Sequence, residues 1–127
     1  MSRADLPYLL PRVAIAAVFV GFGVWELFDP AYWAAYVPRA VATLPWTLRL
    51  VQVHGLLLTT TAVALLLPAF ETAGAAAATL LLAEICVDVL VSNGVDGVFL
   101  RDVGLLLVAL GLVWLPYTDA AARGETD

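Results

Sequence analysis

Residues 72–91 read TAGAAAATLLLAEICVDVLV, a run of twenty residues whose only charged members are Glu84 and Asp88. As an α-helix rising about 1.5 Å per residue, such a run matches the roughly 30 Å hydrocarbon layer of a bilayer. In lipid a helix is the conformation that satisfies every backbone N–H and C=O within the segment itself, so the run reads as a transmembrane helix.

Three more runs of this kind flank it, from about 8 to 28, 46 to 67 and 98 to 117. The chain is 63% hydrophobic with a mean hydropathy of +0.96, well above the roughly 45–50% apolar content of soluble domains. A soluble fold of 127 residues could not hide that much apolar surface. Arg12 interrupts the start of the first run, which therefore reads as a span rather than a signal peptide. The links Pro68–Glu71 and Ser92–Gly97 are short, and short links make consecutive helices antiparallel neighbours. The expectation is an all-α, multi-pass membrane protein: one domain over residues 1–127, folded as an antiparallel bundle of four transmembrane helices.

The one long connection, DPAYWAAYVPRAVATLP at residues 29–45, is punctuated by Pro30, Pro38 and Pro45. Tyr32, Trp33 and Tyr36 lie in it, and Trp25 and Trp46 flank it. Aromatic side chains of this kind favour the headgroup layer, so the connection is expected to lie along the membrane surface. We call its face of the membrane the loop side and the opposite face the terminal side. Arg3, Arg12 and Arg123 fall on the terminal side and Arg39, Arg49 and Arg101 on the loop side, a balance that gives the positive-inside rule no preference.

Composition excludes several function classes. A formal charge of −5, six arginines and no lysine leave no basic patch for nucleic acid. The one cysteine, Cys86, has no partner for a disulfide, and no Cys/His spacing fits a metal. Cys86 reads as a small packed hydrophobe. Small residues at helical spacing, Ala17 with Gly21, Gly74 with Ala78 and Gly104 with Gly111, read as helix-packing positions.

Ionisable and polar residues inside the spans are concentrated toward the loop side: Glu26, Arg49, Gln52, His54, Glu84, Asp88, Arg101 and Asp102. A deep ionisable group costs at least about 2.5 kcal/mol and marks a functional site by default. His54 follows Trp46 by eight residues and Glu84 precedes Ser92 by eight, which puts both about 12 Å beneath the loop-side interface. We therefore expect a His54–Glu84 pair, with a shallower ion pair of Asp88 with Arg101 or Arg49 above it. Glu84 and Asp88 share a helix face, and two carboxylates at that spacing repel in low dielectric unless the deeper one holds a proton or bonds to His54. For Arg12, Glu26, Arg49 and Asp102 an interfacial, structural role weighs more heavily, because each reaches a headgroup layer.

The stretches RVAIAAVFVGFGVWELFDP (12–30), AYWAAYVP (31–38) and GVFLRDVGLLLVALGLVWL (97–115) together resemble the DoxX family of small four-helix membrane proteins. Gly23 with Glu26, the aromatic segment from Pro30 to Pro38, and Arg101, Asp102 and Gly104 are the most distinctive parts. The resemblance implies a prokaryotic plasma-membrane protein linked to redox chemistry, some relatives being subunits of thiosulfate:quinone oxidoreductases and others associating with redox-protective enzymes. It brings no set of catalytic residues, and a chain with one histidine and no cysteine pair departs from thiol chemistry and from bis-histidine haem ligation.

Three functions follow. The first is a quinone-linked or accessory redox subunit, in which a cleft among the four helices, open toward the loop side, holds a quinone head group between His54 and Glu84. The second is a non-catalytic protein that docks other subunits through its aromatic segment. The third is a small transporter or proton pathway, which four helices without an inverted repeat could form only as a homo-oligomer.

Overall fold

The computed structural model describes residues 6–122, with side-chain surroundings described for residues 7–114. Arg3 and Arg123, counted above in the charge balance, lie outside the described residues. The described chain is all-helical: α1 (Leu6–Phe28), α2 (Pro30–Trp33), a 3₁₀ turn (Ala34–Tyr36), α3 (Arg39–Ala42), α4 (Thr47–Leu66), α5 (Glu71–Asn93) and α6 (Gly97–Ala122). Four helices, α1, α4, α5 and α6, are long and apolar enough to cross a membrane, and the chain is a multi-pass membrane protein. They lie within a few residues of the expected spans, with α5 and α6 each longer than the sequence reading.

Local chemistry sets the ends. Pro30 opens α2 at the first helical position, where its missing N–H costs nothing, and the Asp29 carboxylate accepts from the Tyr32 N–H at 3.3 Å. Gly94 closes α5 with φ +75°, a left-handed backbone that other residues rarely adopt. Asp96 then caps α6 by accepting from the Phe99 N–H at 2.8 Å. The Thr47 hydroxyl, buried at the start of α4, lies 2.6 Å from the Val41 carbonyl and 2.8 Å from that of Leu44, and so fastens the connection to the helix that follows it. Ser92 donates to the Tyr36 carbonyl at 3.3 Å, tying the connection to α5.

The four long helices form two close pairs, α1 against α4 and α5 against α6, joined mainly by α4 against α5. Lipid is as apolar as a leucine side chain, so helix association in a membrane depends on close packing and polar contacts rather than on hydrophobic burial. The closest approach is at Gly23 of α1 and Gly55 of α4. A Cβ on Gly23 would stand 2.5 Å from Thr59 Oγ1 and 2.6 Å from the Gly55 carbonyl oxygen, and one on Gly55 would stand 2.6 Å from the Gly23 carbonyl oxygen. Gly74 makes a second close approach, against the backbone of Ala64 and Leu65.

This corrects the small-residue pattern read from sequence. Of those positions Gly74 and Ala78 are packed, whereas Gly21, Gly104 and Gly111 face open space, where an added Cβ would touch nothing within 4 Å, and Ala17 is exposed. The pair that draws two helices together, Gly23 with Gly55, sits on different helices and leaves no spacing signature.

Toward the terminal side the interior is dry. Ile15, Phe19, Leu58, Ala62, Leu65, Ala75, Ala78, Leu82, Ala109 and Leu112 form one continuous buried cluster. Arg12 and Glu71 pair at its margin, joining the start of α1 to the start of α5.

Candidate functional site

Toward the loop side the helices leave a cavity of about 620 Å³, within the size range of small-molecule sites. Its floor is the top of the apolar cluster, at Phe19, Leu58 and Leu82, and its walls come from all four long helices and the connection.

Glu26, one turn after Gly23, and His54, directly before Gly55, are brought face to face by the glycine crossing. Glu26 is 6% exposed, and its Oε2 lies 2.7 Å from His54 Nδ1. The other ring nitrogen, Nε2, lies 3.2 Å from Oε2 of Glu84 on α5. That second contact is close but out of line for a hydrogen bond, so Nε2 has no aligned partner. The Glu84 side chain is half exposed, and Asp88, which also lines the cavity, stands one turn nearer the loop side on the same helix. A carboxylate on Nδ1 holds the imidazole in one orientation and turns Nε2 to whatever enters the cavity.

On the opposite wall Arg101 bends back onto its neighbour: its Nε and Nη2 each lie 2.7 Å from Asp102 Oδ1. Asp102 is 3% exposed, and its second oxygen, Oδ2, is buried without a partner. The Arg101 guanidinium stands over the Phe22 ring at 5.2 Å, an arrangement favoured by the ring quadrupole.

The remaining wall is aromatic. Trp25 stacks on Tyr32 at 4.8 Å, and Trp33 meets Phe22, Trp25 and Tyr32 edge-on at 5.2–5.3 Å. Tyr36 closes the cluster, with ring centroids 5.6 Å from Trp33 and 6.2 Å from Tyr32. The Trp33 indole N–H is buried with no acceptor, in a molecule where a buried donor is otherwise expected to be satisfied. In the connection, the Tyr32 phenol is held above its ordinary value, first by its hydrogen bond with Tyr36 and then by the charge of that neighbour.

Six of the eight polar candidates read from sequence meet at this cavity: Glu26, His54, Glu84, Asp88, Arg101 and Asp102. Gln52 does other work, donating to the Leu27 carbonyl at 3.2 Å and satisfying the end of α1. Arg49 is exposed and off the cavity wall, as is Trp46 among the aromatics.

The expected shallow ion pair is corrected: among the described residues no ion pair joins Asp88 to Arg101 or Arg49, and Arg101 pairs with Asp102. Adjacency explains this, since the Asp102 carboxylate is one residue away and buried, and pairing it relieves the larger desolvation cost. Glu26 is more central than the sequence reading made it, because it is the closer of the two carboxylates on His54. Phe22 was missed altogether, and it looks like any other apolar residue of a span.

No family model, no curated protein and no solved structure matches the chain. What the site is for therefore rests on its own chemistry.

Proposed function

We propose that the protein is a DoxX-like accessory or quinone-linked subunit of a membrane redox system in a prokaryotic plasma membrane, with a quinone head group held in the loop-side cavity. The observation that carries this reading is the cavity itself: an aromatic-walled space among membrane helices, with His54 presenting Nε2 between Glu26 and Glu84. A flat ring stacks on aromatic side chains, and its two carbonyl oxygens need donors. The Trp33 indole N–H and protonated His54 Nε2 are donors without an aligned protein partner. Reducing a quinone takes up a proton for each electron, and an imidazole between two carboxylates is a group that can supply them. The electrons would come from a partner redox subunit.

Exposed apolar side chains on the outer faces of the helices give a lipophilic molecule a route from the bilayer. Leu50, Val53 and Leu57 are exposed and also line the cavity. The use of Trp25, Tyr32, Trp33 and Tyr36 as cavity wall favours this reading over docking of another subunit by the same aromatic segment.

The test is titration of a short-chain quinone into the purified protein in nanodiscs, with native mass spectrometry of the gently solubilised protein to identify what it carries. Saturable binding is expected in the wild type, with at least a tenfold loss, about 1.4 kcal/mol, in His54→Ala and Glu84→Gln. Unchanged binding in both variants removes the reading.

A further inference from the structure

We infer that the cavity exchanges protons with one face of the membrane only: Glu84 and Asp88 form a carboxyl port between His54 and the loop side, and the other half of the bundle is sealed. The inference rests on the reading of the cavity as a quinone site, where each redox turn must move protons.

The path starts at His54. Its Nδ1 is occupied by the buried Glu26, so Nε2, which has no aligned partner, is the nitrogen free to trade a proton. Glu84 Oε2, at 3.2 Å, is the base that receives it. The imidazolium gives up the Nε2 proton and becomes neutral, and the Glu84 carboxylate becomes a carboxylic acid. A small rotation of either group aligns the contact. Asp88 lies one helical turn closer to the loop side, and five residues, about 7 Å of helix, separate it from the end of α5 at Asn93. The other ionisable groups around His54 are Arg101 and Asp102 from α6 and Tyr32 and Tyr36 from the connection. Arg101 and Asp102 are engaged with each other through Asp102 Oδ1, and among the described residues the ion pairs of His54 are with Glu26 and Glu84.

Among the described residues nothing comparable leads the other way. Residues 13–22 of α1 and 103–114 of α6 carry no titratable or hydroxyl-bearing side chain. Thr59, Thr60 and Thr79 donate to carbonyls of their own preceding turns at 2.8–2.9 Å, and Thr61, buried on α4, adds one further hydroxyl. The floor of the cavity is continuous with the dry cluster from Ile15 to Leu112, and the Arg12–Glu71 pair lies beyond it. A proton entering at Glu84 therefore meets close-packed hydrocarbon instead of a second relay.

His54 is the only histidine, so a ¹⁵N-histidine-labelled chain gives a single imidazole spectrum. The experiment reconstitutes this labelled protein, free of quinone, in vesicles of one orientation, and applies a pH step to each face in turn. The imidazole resonance is expected to follow the pH of the loop side and to ignore the other. Glu84→Gln is expected to slow proton exchange at His54 on the order of a hundredfold, and Glu26→Gln to change the tautomer while leaving the sidedness intact. A resonance that follows the terminal side, or both sides, overturns the inference, and so does an exchange rate unchanged in Glu84→Gln. Should that variant not fold, the pH step on the wild type still decides. Because no quinone is present, loop-side sidedness without quinone binding would retain the port and remove the proposed function, whereas quinone binding with terminal-side sidedness would do the reverse.

Discussion

His54 carries two carboxylates, and they do different work. Glu26 is buried and in line with Nδ1, so its replacement leaves a polar ring in the interior with one nitrogen unanswered. We expect Glu26→Ala to destabilise the folded protein by about 2 kcal/mol, read as a lower midpoint in a detergent unfolding titration, because hydrogen bonds to charged groups fall in that range. Glu84 is half exposed and its contact is out of line, so Glu84→Gln should cost less than half as much in the same titration while affecting binding more. The pair His54–Glu84 was legible in the sequence because depth along antiparallel helices is arithmetic on a fixed rise. The place of Glu26 was not, since it depends on how α1 and α4 are rotated about their axes, and counting residues says nothing about rotation. Arg101 marks the same gap from another side: several acids stand near its depth, and the one it takes is its own neighbour.

At the level of the helices, the Gly23–Gly55 crossing sets that rotation. A side chain at either position would meet the backbone of the partner helix, which cannot yield as a flexible tip can. Gly55→Ala should therefore cost about 1–3 kcal/mol by overpacking, and should loosen the Glu26–His54 contact with it. Gly104→Ala provides the contrast. That position opens on empty space, so a stability within about 0.5 kcal/mol of wild type is expected from the same unfolding measurement. The four spans could be read directly, because twenty apolar residues in a row admit one solution in lipid. Which glycines serve as contacts could not, since Gly104 and Gly111 show helical spacing within one chain segment while the true contact matches one helix to another. The connection was expected at the membrane surface, and it is folded into short helical turns whose aromatic rings complete the cavity wall.

The whole molecule is divided across its thickness, with a polar, hollow half beneath the connection and a dry, close-packed half beyond it. That division was legible from the placement of charged residues alone, and so was a cleft open toward the loop side; its volume and its full lining were not, because they arise from the packing of all the side chains around it. The dry half makes the bundle a poor conductor, and proteoliposomes under an imposed potential should leak protons no faster than protein-free vesicles, as followed by a pH-sensitive dye trapped inside. The distribution of indoles has a separate consequence. Trp25 and Trp33 form the cavity wall, whereas Trp46 and Trp114 are exposed and away from it. The native ultraviolet emission of the chain is therefore split between two populations, and a light-absorbing ring entering the hollow would dim one of them and spare the other. The protein thus carries its own optical gauge of occupancy, one that needs no attached dye.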